Sequence, residues 1–240
     1  MKKIIFVLSG VVLLALLTSC TVSDKENSGF PLTYEEMVED YNYFISVAEP
    51  FDDRVLLEVT WETLIEPVDY QLVLGGEEID PVNWEYVEEK ELWSSSNYIN
   101  KDSLEIDDNS LHFEVSFNGN SYQGVLTLTP ELTCESLVEF LFEEDLEICW
   151  DAAYEPQLYN LNLYHHWFGS LGWGSNQYDY QLSGDVASYT LKHSLYLVEE
   201  ANGYEALDAH IKAINYYSKN DFLIYSYTEK EITYDNMLGK

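Results

Sequence analysis

Strict alternation of apolar and polar positions marks the most legible part of the chain. Leu111-His112-Phe113-Glu114-Val115-Ser116-Phe117 is apolar at every second residue, the period of a half-buried strand. Asn118-Gly119 follows, and both residue types tolerate the positive φ of a type I′ turn. Residues 120–129 then return as a second strand. A two-residue turn sets residue 117 opposite 120, 115 opposite 122 and 111 opposite 126. Phe113, Val115, Phe117, Tyr122, Leu126 and Leu128 then share one face, and Glu114, Ser116, Ser121 and Gln123 the other. Shorter runs carry the same signal. Val55 to Trp61 is β-branched and partly alternating, and Asp69 to Leu74 runs into Gly75-Gly76 before Glu77-Glu78-Ile79.

Two segments follow a helical spacing instead. Over 33–48, Met37, Tyr41, Phe44 and Val47 recur on one helical face, Thr33 and Glu36 have capping-box spacing, and Pro50 ends the run. Over 133–149, Leu137, Phe140 and Leu141 form an apolar side, bracketed by Pro130 and Pro156. From residue 157 the text is aromatic and strand-like. Glycines 169, 172, 174 and 184 offer turns, and Ala201-Asn202-Gly203 reads as a hairpin loop. Residues 204–217 fit both periods. A strand is preferred because turn signals flank the segment and Phe222 to Tyr227 returns. The expected fold is mainly β (α+β): an N-terminal β-sandwich-like region with flanking helices over 31–155, then a C-terminal antiparallel β meander over 156–240.

Charge divides the chain at the same place. Residues 21–155 hold 34 acids and four bases, whereas 156–240 hold ten acids and five lysines, within a formal net charge of −33. Such a chain lacks the clustered Lys and Arg that displace counterions from nucleic acid, so no nucleic-acid partner is expected. Direct adsorption to anionic lipid is disfavoured for the same reason. The acids read first as a solvated surface, with cations or a basic partner as the sharper alternative. Apolar residues make up 46%, enough to build a core.

Candidate chemistry is sparse. The adjacent pair His165-His166 would point to opposite faces of a strand and could not easily share a metal. The run Asp107-Asp108-Asn109 fails the EF-hand pattern because His112 occupies the position that needs glycine. An irregular calcium site of loop carboxylates stays open, but no metal residue and no cofactor is assigned. No nucleophile elbow, zinc-protease, phosphate-loop or C-x-x-C motif is present in the text. Tyr164, Trp167, Phe168, Trp173 and Tyr178 cluster among glycines; they either fill a β core or form a contact surface for a protein or glycan. Cys134 and Cys149 are candidates for a disulfide. In one continuous helix they would stand about 22 Å apart, so pairing requires the segment to bend back; otherwise both are free thiols.

The first residues read MKKIIFVLSGVVLLALLTSC: two lysines, an apolar core, small residues, then Cys20. Leu17-Thr18-Ser19-Cys20 resembles the lipobox of bacterial lipoproteins, over these residues only. The resemblance implies cleavage of a signal peptide, 1–19, and a lipid anchor with fatty acid such as palmitate on Cys20. Two acyl chains give stable attachment to a membrane. Residues 20–30 then read as the lipidated cysteine and a polar tether, whose nine residues after Cys20 span at most about 30 Å. Thr21, rather than Asp, leans toward the outer membrane of a Gram-negative cell. The expectation is an envelope-tethered, non-enzymatic binding module. A glycan hydrolase with unrecognised carboxylates, or a structural lipoprotein, are the alternatives. The sequence sets no oligomeric state.

Overall fold

A computed structural model of the chain describes residues 30–31, 34–49, 55–81, 83–135, 137–139, 144–169, 172–196 and 201–236. The expected signal peptide, Cys20 and nearly all of the tether lie outside the described residues. Phe30 and Pro31 belong to a separate unit, Met1–Pro31; everything below concerns the compact unit Leu32–Lys240.

That unit is mostly β. Its largest sheet takes strands from the whole length of the chain. They are β1 (Tyr43–Ala48), β2 (Leu56–Thr63), β5 (Glu85–Val87), β6 (Leu92–Asn100), β11 (Leu137–Glu139), β14 (Leu158–Gly169), β15 (Gly172–Ser183), β17 (Ala201–Lys219) and β18 (Phe222–Asn236). Their order is β15-β14-β17-β18-β1-β2-β6-β5. The hairpin β17–β18 is the spine. On the side away from β17, β18 pairs in parallel with β1 through its first half and with β11 near its end. Strands from the acidic and the aromatic regions are thereby joined in one sheet.

Alternation along β18 explains two cores on a single face. Phe222 and Ile224 enter one core, Ile232 and Tyr234 the other. A second sheet roofs the first core. It contains β3 (Gln71–Leu74), β4 (Glu77–Ile79), β7 (Ile106–Asp107), β8 (Ser110–Phe117) and β9 (Asn120–Thr127). This is the sandwich expected at the N-terminal side. The hairpin β8–β9 has the register the sequence sets, with Phe117 opposite Asn120, Val115 opposite Tyr122 and Leu111 opposite Leu126. Asn118 and Gly119 take φ of 47° and 81° at its turn. Asp108 and Asn109 form a similar turn between β7 and β8, so the acid-rich run there is hairpin chemistry. Within the core, Tyr43 stacks on Phe117 at 3.8 Å, and Phe117 on Tyr122 at 5.4 Å.

The roof of the second core consists of two short ladders: β10 (Leu132–Thr133) with β13 (Asp151–Ala152), and β12 (Leu146–Cys149) with β16 (Ser188–Leu191). A single helical turn, α2 (His193–Tyr196), follows. Between the cores lies a polar seam. The Ser226 hydroxyl donates to the Thr127 carbonyl at 2.7 Å, Asn215 Nδ2 donates to the Leu128 carbonyl at 3.0 Å, and Thr129 and Thr228 hydroxyls meet at 2.8 Å. Buried polar groups satisfied in this way fix where one roof ends.

Three local expectations are corrected. The helix placed at 33–48 stops early: α1 covers Tyr34–Asp40, and Tyr43–Ala48 is strand β1. Asn42 marks the switch, its backbone N–H donating to the Asp221 carbonyl at 2.9 Å. The helix placed at 133–149 is absent among the described residues of that segment, which carry the short strands β10, β11 and β12 joined by irregular backbone. Leu146, Ile148 and Trp150 reach the core with the period of two. Residues 201–203 are not a hairpin loop but the start of β17, and 204–217 is strand throughout. The C-terminal strands are antiparallel, as expected of a meander, with one departure. After the β14–β15 hairpin the chain passes through β16 and α2, then returns to the other side of β14.

Candidate functional site

The face of the large sheet opposite the two cores carries the candidate surface. Strand pairing places even-numbered residues of β14 and β17 there, together with odd-numbered residues of β15 and β18. Register sets rows across the strands: Tyr164, Asp208 and Thr233; Asn162, His210 and Glu231; Asn160, Lys212 and Glu229. The side chains are knit together. Thr233 Oγ1 donates to Asp208 at 2.8 Å, and Asn162 Nδ2 to Asp179 at 2.7 Å. Glu229 receives both His210 Nδ1, at 3.3 Å, and Lys212 Nζ, at 3.2 Å.

Aromatic rings are interleaved with these polar groups. Lys212 Nζ stands 4.7 Å over the Tyr227 ring, a cation–π geometry. Tyr227 lies 6.0 Å from Tyr225, and Tyr164 meets His210 edge-on at 5.4 Å. Burial pushes the Tyr225 and Tyr227 hydroxyls up in pKa, so both are neutral donors at ordinary pH. At the end of the β14–β15 hairpin, Phe168 and Trp173 sit opposite one another, 5.3 Å apart. They are 42% and 71% exposed, and Trp173 is the more open of the two.

The five aromatics proposed from sequence are therefore divided between faces. Tyr164, Phe168 and Trp173 share the outer face. Trp167 and Tyr178 lie on the core side: the Trp167 indole covers Gly174, where an added Cβ would come within 2.5 Å of the ring. Tyr178 packs on the second core and its hydroxyl donates to the Leu195 carbonyl at 2.6 Å. The histidine pair divides likewise. His165 is fully buried with Nε2 2.7 Å from Glu205, while half-exposed His166 lies 3.8 Å from Asp208. Missed by the sequence reading were His210, Lys212, Tyr225, Tyr227 and Glu229. For His210 and Lys212 the signal was present in the alternation of Asp208, His210 and Lys212 with Leu207, Ala209 and Ile211.

Cys134 and Cys149 are free thiols that line one cavity of about 340 Å³, with Glu135, Trp150 and Tyr234 also on its wall. Burial raises both thiol pKa values, and Glu147 and Asp151 add to the effect at Cys149. Among the described residues no group of three or more His, Cys, Asp or Glu side chains could hold a metal ion, and no helix is long and apolar enough to cross a membrane.

Comparison with protein-family models finds no match, and comparison with curated proteins finds none either. Among solved structures, the chain is similar to the crystal structure of chicken CNTN1 FN1-FN3 domains. The identity is 11% and the TM-score 0.24, over 80% of this chain and 65% of that one. The chain thus spans less than two thirds of that structure's length.

Proposed function

We propose that this protein is a lipid-anchored, non-enzymatic binding module of the bacterial envelope, with a glycan as its ligand. The observation that carries the reading is the outer sheet face. There exposed rings at Phe168 and Trp173 continue into rows of amides, carboxylates, His210 and Lys212. Sugar recognition needs this combination: flat rings for the apolar face of the pyranose, and fixed polar groups for its hydroxyls. Anchoring rests on the lipobox resemblance at Cys20.

A glycan array probed with the full chain tests the ligand. Binding of one glycan class is expected, with a loss of roughly tenfold in affinity for Trp173→Ala and a similar loss for Lys212→Ala, about 1.4 kcal/mol each. Binding that survives both substitutions would place the ligand elsewhere. Release of reducing sugar from any bound glycan would overturn the non-enzymatic part. The anchor is tested separately by Cys20→Ser, which should abolish palmitate incorporation and shift the protein out of the membrane fraction.

A further inference from the structure

We infer that β15 is the contact edge for a second copy of this chain, the two β15 strands pairing antiparallel about a two-fold axis. Among the described residues, β15 pairs with β14 alone. It is twelve residues long, so its outer side offers about 40 Å of backbone donors and acceptors. Folded chains ordinarily blunt such an edge with shortness, charge, proline, a bulge or a cover. The other edges here follow that rule. At the far side of the same sheet, β5 has three residues and is followed by Glu88, Glu89 and Glu91. In the smaller sheet, the end of β9 is covered by the Ser226 and Asn215 bonds of the seam. By contrast β15 carries no proline and no lysine, and its pairing with β14 runs without a register shift.

Charge selects a copy of the chain as the occupant. Residues 158–183 contain one acid, Asp179, and no Lys or Arg, in a chain of 44 acids. At the opposite end of the strand order stand Glu58 and Glu62 of β2 and Glu85 of β5, with Glu88, Glu89 and Glu91 in the turn that follows. Seven inter-strand steps of about 4.8 Å separate β5 from β15, roughly 34 Å. Repulsion across that distance is screened at physiological salt, where the Debye length is about 8 Å. Two copies can therefore approach at β15 and not at β5. A register with Tyr178 facing its own copy puts Gln177 opposite Asp179 and Ser175 opposite Gln181. Amides and hydroxyls then meet the carboxylate, and the two Asp179 side chains do not face each other. The two Phe168–Trp173 pairs would then lie along one continuous sheet. The inference stands whether or not a glycan binds there.

Sedimentation equilibrium of the full chain in a non-ionic detergent tests the pairing. A monomer–dimer equilibrium is expected, strengthened as salt screens the acidic chains. Ser175→Glu with Gln177→Glu, both at exposed positions, should weaken it by at least about tenfold. Hydrogen exchange on the unsubstituted chain gives a second readout: amides of β15 should gain protection as concentration rises. A monomer at every concentration, dimerisation indifferent to the two glutamates, or β15 amides that exchange at a concentration-independent rate would each overturn the proposal.

Discussion

The two cores lie on one face of one sheet, yet their roofs are built differently. The first is closed by a five-stranded sheet whose main hairpin pairs eight residues with eight, and aromatic rings stack within it. The second is closed by ladders of two and four residue pairs, and its sheet side is lined by Leu161, Leu163, Ala209, Ile211 and Ala213. Two cavities, about 340 and 240 Å³, share Trp150 and Asp151 of that roof. A long hairpin fixes its own register; a two-residue ladder takes its register from the sheet below. Order in the second roof is therefore borrowed, and local opening should begin there.

The largest effect should separate the cores directly. Phe117→Ala removes a ring, 1% exposed, that stacks between Tyr43 and Tyr122, in a region with rigid walls. It should cost about 4 kcal/mol in denaturant unfolding, near the middle of the range for buried phenylalanine. Leu161→Ala, at 0% exposure in the second core, should cost closer to about 2 kcal/mol because the short ladders can settle into the space. Equal costs at the two sites would remove the distinction between the roofs.

The next effect concerns a buried histidine–carboxylate pair on the core face of β14 and β17. His165 is fully buried and bonded to Glu205, which is 9% exposed as a residue. Glu205→Leu leaves the imidazole without that partner in an apolar setting, and a loss of about 3 kcal/mol is expected. Adding His165→Leu should restore much of it, since a matched apolar pair avoids desolvation altogether. A double-mutant cycle that gives simple additivity would mean the pair contributes nothing as a pair.

These contrasts were only partly legible in the text. The β8–β9 hairpin was, because period-two alternation and Asn-Gly turn chemistry point to one register. Strand β1 was not. Five of its six residues are buried on both faces, so it shows no alternation, and Met37, Tyr41, Phe44 and Val47 fall by coincidence at helical intervals. In the second roof, alternation at Leu146, Ile148 and Trp150 is only three residues deep. The outer face was half legible. Alternation alone divides Tyr164 and Phe168 from Trp167. That Lys212 would cover Tyr227 depends on the β17–β18 register, set by the turn at 219–222 and not by either residue's surroundings in sequence.

The smallest effect tests how the second roof is tied down at its exposed end. Asp145, just before β12, accepts the His193 backbone N–H at 2.9 Å and Lys192 Nζ at 2.7 Å, and so caps α2. These two donors hold its carboxyl below the usual carboxylate range, the Lys192 hydrogen bond contributing most. A lowered native pKa means the unfolded chain binds the proton more readily. The contribution to stability is then present above the ordinary carboxylate pKa and is lost as pH falls through the lower, native value. The group is exposed, so the effect is modest and weakens with salt. Carboxyl NMR should find Asp145 titrating below its unfolded value at low salt, with the difference shrinking as salt rises. Asp145→Asn should flatten the acid limb of α2 amide exchange while leaving β8 and β9 amides unchanged. If β8 and β9 responded equally, the roofs would open as one unit, and the second would not be the weaker cover.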